Sequence, residues 1–393
     1  MTHSKPIQQA DRIQSLDVIR GFALIGILLS NMSGFKSLVF HDLSLPTWSP
    51  HPLDAFGQLV LELFVTAKFY PLFSILFGIG FYLFYSRLSE RNLNGKALFK
   101  RRMATLLCIG LVHLIFIWSG DILHTYAIAG FILLLFRRKS SEQLLRWGIL
   151  LIIFTGVGTA LLGVAAAYAN TDVGSGSLLP IMQLFQTGSY GEILSFRWQS
   201  EAVLLLFSLP FTLPNVLGLF LIGMAFGKMN AFKNVEKYKT MWRRLAIHGG
   251  WIGLFFSLLF VSLRHDWLPI PAHLGYALSD AVNLIGGPIL TVSYIAVFVL
   301  LLQKEGWQRR VTALSALGRM ALTNYLAQSL ICVFMFYGFG FGLFGQVSVV
   351  QGMLIAVVII LVQMLLSSLW LRHAEQGPVE WIWRKLIYGK KSL

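Results

Sequence analysis

Residues 17–41 read DVIRGFALIGILLSNMSGFKSLVFH. The apolar run from Gly21 to Ser30 opens on a charged pair, Asp17 and Arg20, and carries an amide, Asn31, near its far end. About 20 helical residues cross a bilayer's hydrocarbon core, so this stretch predicts a first membrane crossing near residues 17–34. His41 follows just beyond it. The rest of the chain agrees, because 56% of its 393 residues are hydrophobic and only 12% are charged. A soluble domain cannot bury that much apolar surface, so a polytopic membrane protein is expected. The first fifteen residues are polar and no small-residue cleavage site follows the apolar run, which predicts an uncleaved first span.

The formal net charge is +15, but 28 of the 32 Lys and Arg fall in bursts between apolar runs: 5–20, 87–102, 137–146, 228–244, 304–319 and 372–391. Cytoplasmic loops are enriched in Lys and Arg, so the bursts mark one side of the membrane and no nucleic-acid partner is expected. Keeping every burst inside predicts ten crossings with both termini cytoplasmic, near 17–34, 54–86, 103–119, 121–136, 147–168, 202–226, 246–263, 280–302, 311–336 and 348–371. The fold class is therefore all-α: one bundle over 16–372, a tail over 1–15 and a basic cytoplasmic tail over 373–393. The second run is too long for one straight crossing and is expected to break near Pro71, with a re-entrant piece as the alternative. The longest outer connection, 169–201, predicts short helices on the membrane surface, and YGFGFGLFG at 337–345 an outer turn. Cys108 and Cys332 both fall within spans, which points to neither a disulfide nor a metal site.

Ionisable groups at membrane depth are costly and by default face a cavity or each other. Asp17 and Arg20 share a helix face at the inner end, as an interfacial anchor or an anion-holding pair. Arg20 and Asn31 lie on one stripe, since eleven residues are close to three full turns; for Asn31 the plainer role is an interhelical hydrogen bond. Glu62 and Lys68 do not share a face, and Lys68 either snorkels or meets Asp121 or Glu62. His113 sits mid-span, where packing alone accounts for many histidines. Asp121 and His124, three apart, begin a helix, and capping would suffice for Asp121. P-loop, zincin and hydrolase-elbow patterns are absent.

Five blocks carry a family resemblance: SLDVIRGFALIGILLSNM (15–32), KFYPLFSILFGIGF (68–81), RRMATLLCIGLVHLIFIWSGDILHTYAIAG (101–130), LGRMALTNYLAQSL (317–330) and GPVEWIWRKLIYG (377–389). Together they resemble the YeiB-like family, also called domain of unknown function 418, with its C-terminal family domain at about 228–390. The resemblance implies a multi-pass protein of the bacterial inner membrane. More distantly, the first span is similar to the first helix of the transmembrane acyltransferase fold of acyltransferase-3 proteins and heparan-α-glucosaminide N-acetyltransferase. The former have a catalytic His separated from an Arg by ten intervening residues, a position where this chain, departing from the pattern, has Asn31. The latter shares the S-x-D-x-x-R-G start and an Asn at the helix end, with its catalytic His one loop later. That similarity gives His41 and Asn31 the catalytic roles, with His113, His124 and Asp121 in reserve. It implies acyl-coenzyme A as co-substrate and no metal; Asp17, Arg20, Lys68, His113, Asp121 and His124 would bind or line. The acceptor would be a small molecule or an envelope glycan or lipid, the lipid bilayer the standing partner, and a homodimer is left open. A solute transporter, with Lys68, Glu62 and Asp121 as coupling groups, and an envelope structural protein are the rival readings.

Overall fold

The computed structural model describes residues 13–38, 49, 51–90, 94–169 and 178–389. In chain order the helices are α1 (Gln14–Lys36), α2 (Pro52–Phe64), α3 (Phe69–Glu90) and α4 (Gly95–Val112), which runs into a π-turn (His113–Ile117). Next come α5 (Leu123–Leu133), α6 (Ser141–Tyr168), α7 (Leu179–Thr187), α8 (Tyr190–Phe196) with a second π-turn (Arg197–Glu201), and α9 (Ala202–Lys228). The remainder are α10 (Lys239–Arg264), α11 (Ala272–Leu301), α12 (Trp307–Arg310), α13 (Thr312–Arg319), α14 (Ala321–Phe336), α15 (Val349–Trp370) and α16 (Pro378–Tyr388). Among the described residues there is no strand.

Seven segments are long and apolar enough to cross a membrane: α1, the α2–α3 run, α6, Ser208–Lys228 within α9, α10, α11 and α15. Leu123–Phe136 and α14 are shorter apolar helices. With α4 and its π-turn, these cover the ten expected crossings. α1 is largely enclosed, with Val18, Ile19, Ala23, Leu24 and Leu28 fully buried. By contrast α6, α10 and α15 turn large apolar side chains outward, among them Phe154, Leu161, Trp251, Phe255, Leu361 and Leu365, a surface that only lipid would cover. The outer connection carries α7 and α8 as expected, and residues 337–347 form the expected turn.

The long second run breaks over residues 65–68, just ahead of Pro71 rather than at it. A proline ring clashes with the carbonyl four residues earlier, here that of Ala67, so the helix gives way there and Pro71 falls in the first turn of α3. Ala67 takes φ +61°, the Val65 and Thr66 amides donate to Leu61 O (both 2.8 Å), and the Thr291 hydroxyl of α11 donates to the Lys68 carbonyl at 2.6 Å. Residues 373–393 were expected as a tail, yet 378–388 form α16, packed under α4 and α14. Glu380 Oε1 accepts from the first-turn amides of α14, Leu322 N (2.7 Å) and Thr323 N (3.1 Å), so α16 caps a membrane helix.

Small residues set how closely the helices approach. A Cβ on Gly223 of α9 would come 1.9 Å from Ile75 O of α3, and one on Gly78 of α3 2.0 Å from Phe220 O of α9. Backbones this close leave no side chain room between them, the usual economy of helix pairs in lipid. Gly223→Val should therefore lower the thermal unfolding midpoint of the detergent-purified protein, at a cost of about 1–3 kcal/mol from overpacking. Gly80→Ala, at a helical glycine with open space around its absent Cβ, should leave the midpoint unchanged or raise it.

Candidate functional site

Three residues named from the sequence converge where α4 hands over to α5. α4 widens into its π-turn at His113, and such turns recur where a helix is bent to present a side chain. Gly110 lets α5 press against α4, since a Cβ there would lie 2.5 Å from His124 N, and Gly120 leaves room for the Trp118 ring. Asp121 then points its carboxylate back between the two helices. Its Oδ1 lies 2.9 Å from His113 Nδ1; its Oδ2 lies 3.0 Å from His124 Nδ1 and accepts from His124 N at 3.0 Å. The carboxylate is fully enclosed and the His113 side chain is 1% exposed.

An ionised carboxylate only accepts, so each histidine meeting it through Nδ1 carries its proton there, leaving Nε2 as the basic atom. The His124 Nε2 is 3.1 Å from the Thr125 hydroxyl, which can donate to it. The His113 Nε2 is buried and, among the described residues, has no hydrogen-bond partner. Its ring lies 5.3 Å from that of Tyr325 on α14. A histidine fixed in one tautomer by a buried carboxylate, with the other nitrogen uncommitted, is the arrangement a general base requires.

The outer helices hold this segment in place. Arg197, itself paired with Glu201 at 3.1 Å, donates through its guanidinium to Leu114 O, and the Tyr190 hydroxyl donates to Phe116 O at 2.8 Å. Both carbonyls belong to the π-turn, so the outer connection braces the turn that carries His113. A shallow apolar groove of about 350 Å³ runs between Ile115 and Gly191, Leu194, Ser195 and Trp198.

On α1, Asn31 is half-buried one turn before Phe35, whose ring lies 4.0 Å from that of Trp118, so its helix face is turned toward the same outer segment. Asp17 and Arg20 pair at 2.8 Å at the opposite, inner end of α1 and take no part in the histidine cluster. Of the partners expected for Lys68, Glu62 is met and Asp121 is not. The fully buried Lys68 Nζ donates to the Glu62 carbonyl (2.8 Å) and to Asn283 Oδ1 (3.1 Å), while the Glu62 carboxylate meets His265 Nε2 at 2.7 Å. His41 lies outside the described residues. Tyr325, Arg197, Asn283 and His265 escape a reading of the sequence because each meets its partner across more than 80 residues; the only local signal is a polar residue inside or beside an apolar run. Among the described residues no group of three or more His, Cys, Asp or Glu is placed to hold a metal ion.

Residues 226–390 match the family described as protein of unknown function (DUF418). Over 99% of its length the chain is 31% identical to the uncharacterized protein YxaH of Bacillus subtilis, covering 97% of that protein. It is also 29% identical to the uncharacterized protein YeiB of Escherichia coli, with 96% of each chain covered.

Removing the carboxylate leaves three donors, His113 Nδ1–H, His124 N–H and His124 Nδ1–H, without that acceptor, at about 1–3 kcal/mol for each that stays buried. Asp121→Ala should therefore depress the unfolding midpoint more than His124→Ala, which orphans only part of one carboxylate. Equal losses in the two variants would mean that Asp121 does not organise the cluster.

Proposed function

The chain belongs to the YeiB-like family, and from that premise we propose that it is an integral-membrane acyltransferase of the bacterial inner membrane. It moves an acyl group from a cytoplasmic acyl-coenzyme A to an extracytoplasmic hydroxyl or amine. The observation that carries this reading is the uncommitted, carboxylate-oriented Nε2 of His113 at the outer end of α4, with an arginine-bearing face at the inner end of α1.

In this reading the acceptor O–H or N–H gives its proton to His113 Nε2 as its heteroatom bonds to the thioester carbonyl carbon. Asp121 stabilises the imidazolium so formed. The oxygen of the tetrahedral adduct carries the charge, and the Asn31 amide, on the face turned toward this segment, supplies a donor for it. The C–S bond then breaks, the carbonyl re-forms, and the imidazolium proton passes to the departing thiolate. No coenzyme A crosses the membrane. The more distant similarity to heparan-α-glucosaminide N-acetyltransferase gives the base role to His41; the geometry of the described residues supports His113. The rival transporter reading draws on a separate observation, the Lys68–Glu62–His265 cluster enclosed at the break between α2 and α3.

Thermal unfolding of the purified protein with coenzyme A or acetyl-coenzyme A tests the donor. A ligand at a hundredfold excess over its dissociation constant stabilises by about 2.7 kcal/mol. Saturable stabilisation that Arg20→Ala loses is expected. His113→Gln should keep it while lowering acetyl transfer, followed as thiol release, by about 10²–10⁴-fold, the usual weight of a general base. Unchanged transfer in His113→Gln would remove His113 from the base role, and no stabilisation at millimolar ligand would turn the reading to transport.

A further inference from the structure

The inner end of α4 holds a second arrangement that the acyl-transfer chemistry leaves unused. Arg102 belongs to the basic burst at 87–102, and its guanidinium lies over two aromatic rings, Phe84 of α3 at 5.0 Å and Trp383 of α16 at 4.7 Å. Trp383 is itself fixed, donating its indole N–H to the Arg102 carbonyl at 3.3 Å. The Arg102 Nε is buried and has no hydrogen-bond partner among the described residues. A guanidinium held against aromatic rings presents its N–H donors as a planar fork, the geometry that meets the paired oxygens of a phosphate.

Arg20 stands close enough to act on it. Arg20 of α1 and Tyr388 of α16 are the ionisable groups whose charge bears on the Arg102 guanidinium. Among the described residues the one carboxylate paired with either arginine is Asp17, bonded to Arg20 at 2.8 Å. Among the described residues no carboxylate is paired with Arg102, at an inner end rich in further cations. Like charges brought together in partial burial destabilise each other until an anion lies between them.

We propose that Arg20 and Arg102, with α16 as a clamp through Trp383, form a phosphate seat at the cytoplasmic end of the bundle. The ligand is a phosphate or diphosphate group. It is supplied either by a soluble cytoplasmic co-substrate, in which case the seat rests on the acyl-transfer reading and holds the donor's phosphates, or by an anionic lipid headgroup of the inner leaflet.

The test uses the full chain and probes that carry phosphate without acyl chemistry. ADP and inorganic pyrophosphate should each raise the unfolding midpoint of the detergent-purified protein. Arg102→Gln should weaken their apparent affinity at least tenfold, Arg102→Lys and Trp383→Ala partially, and Arg101→Gln, at an exposed neighbour, not at all. A parallel series in nanodiscs compares phosphatidylglycerol with phosphatidylcholine. Stabilisation by phosphatidylglycerol alone, abolished by Arg102→Gln, would keep the seat and assign it to lipid. Arg102→Gln folded, with wild-type response to every phosphate-bearing probe, overturns the proposal. The two readings fail separately: diphosphate binding through Arg102 with no acetyl transfer leaves the seat standing, whereas acetyl transfer with a wild-type response of Arg102→Gln to ADP, pyrophosphate and phosphatidylglycerol removes only the seat.

Discussion

In hydrocarbon a backbone carbonyl or amide without a partner costs several kcal/mol, so a membrane helix can depart from the α form only where the protein itself supplies the missing hydrogen bond. Several irregular points of this chain are met in that way. Beside the break between α2 and α3, the Lys68 carbonyl accepts from the Thr291 hydroxyl. In the first turn of α3 the Tyr70 carbonyl accepts from the Tyr126 hydroxyl at 2.9 Å. Those of Leu114 and Phe116 in the π-turn take Arg197 and Tyr190, and the opening amides of α14 take Glu380. Each of these bonds joins parts of the chain more than 50 residues apart, so the irregular points are also where the bundle is tied together.

The chemistry-bearing residues lie at those same points. Lys68 closes the break, His113 opens the π-turn, and Asp121 follows the tight turn after it. A regular helix packs its side chains at fixed intervals and leaves little freedom to aim one; an extra residue in a turn re-aims those near it. The two clusters nonetheless differ in kind. In the Lys68 cluster the ammonium and the carboxylate are both answered by protein groups. In the His113 cluster a basic nitrogen is left uncommitted. That difference, rather than the number of buried ionisable groups, separates a packing feature from a candidate reactive one.

Much of this was legible in the residues. The crossings follow from a local signal, apolar length, and long apolar helices stand where that signal puts them. Pro71 marked the broken helix but not its position, because a proline's clash falls on the carbonyl four residues before it. Residues 373–393 read as a basic tail, although Val379, Ile382, Trp383, Leu386 and Ile387 recur at helical spacing; the charges masked an amphipathic α16. His113, Asp121 and His124 stood out as polar residues at membrane depth. Their meeting did not, since it needs a π-turn and a tight turn between His113 and Asp121 to bring the two side chains together. His265, Asn283, Arg197 and Tyr325 act on elements distant in sequence, which no spacing rule reaches.

The two ends of the bundle are related by a repeated interval. On α1 eleven residues separate Arg20 from Asn31, and on α4 with its π-turn eleven separate Arg102 from His113. Eleven helical residues rise about 16 Å and complete about three turns, so each helix carries its arginine and its outer polar residue on nearly the same face. At the outer end the Phe35 ring of α1 lies 4.0 Å from that of Trp118, the residue that follows the π-turn. Two guanidinium groups are thereby held about three helical turns from an amide and an imidazole, along parallel stripes. Such spacing suits a ligand that is anionic at one end, extended in the middle and reactive at the other. It suits far less a compact solute, which would need its charged and polar contacts gathered at one depth.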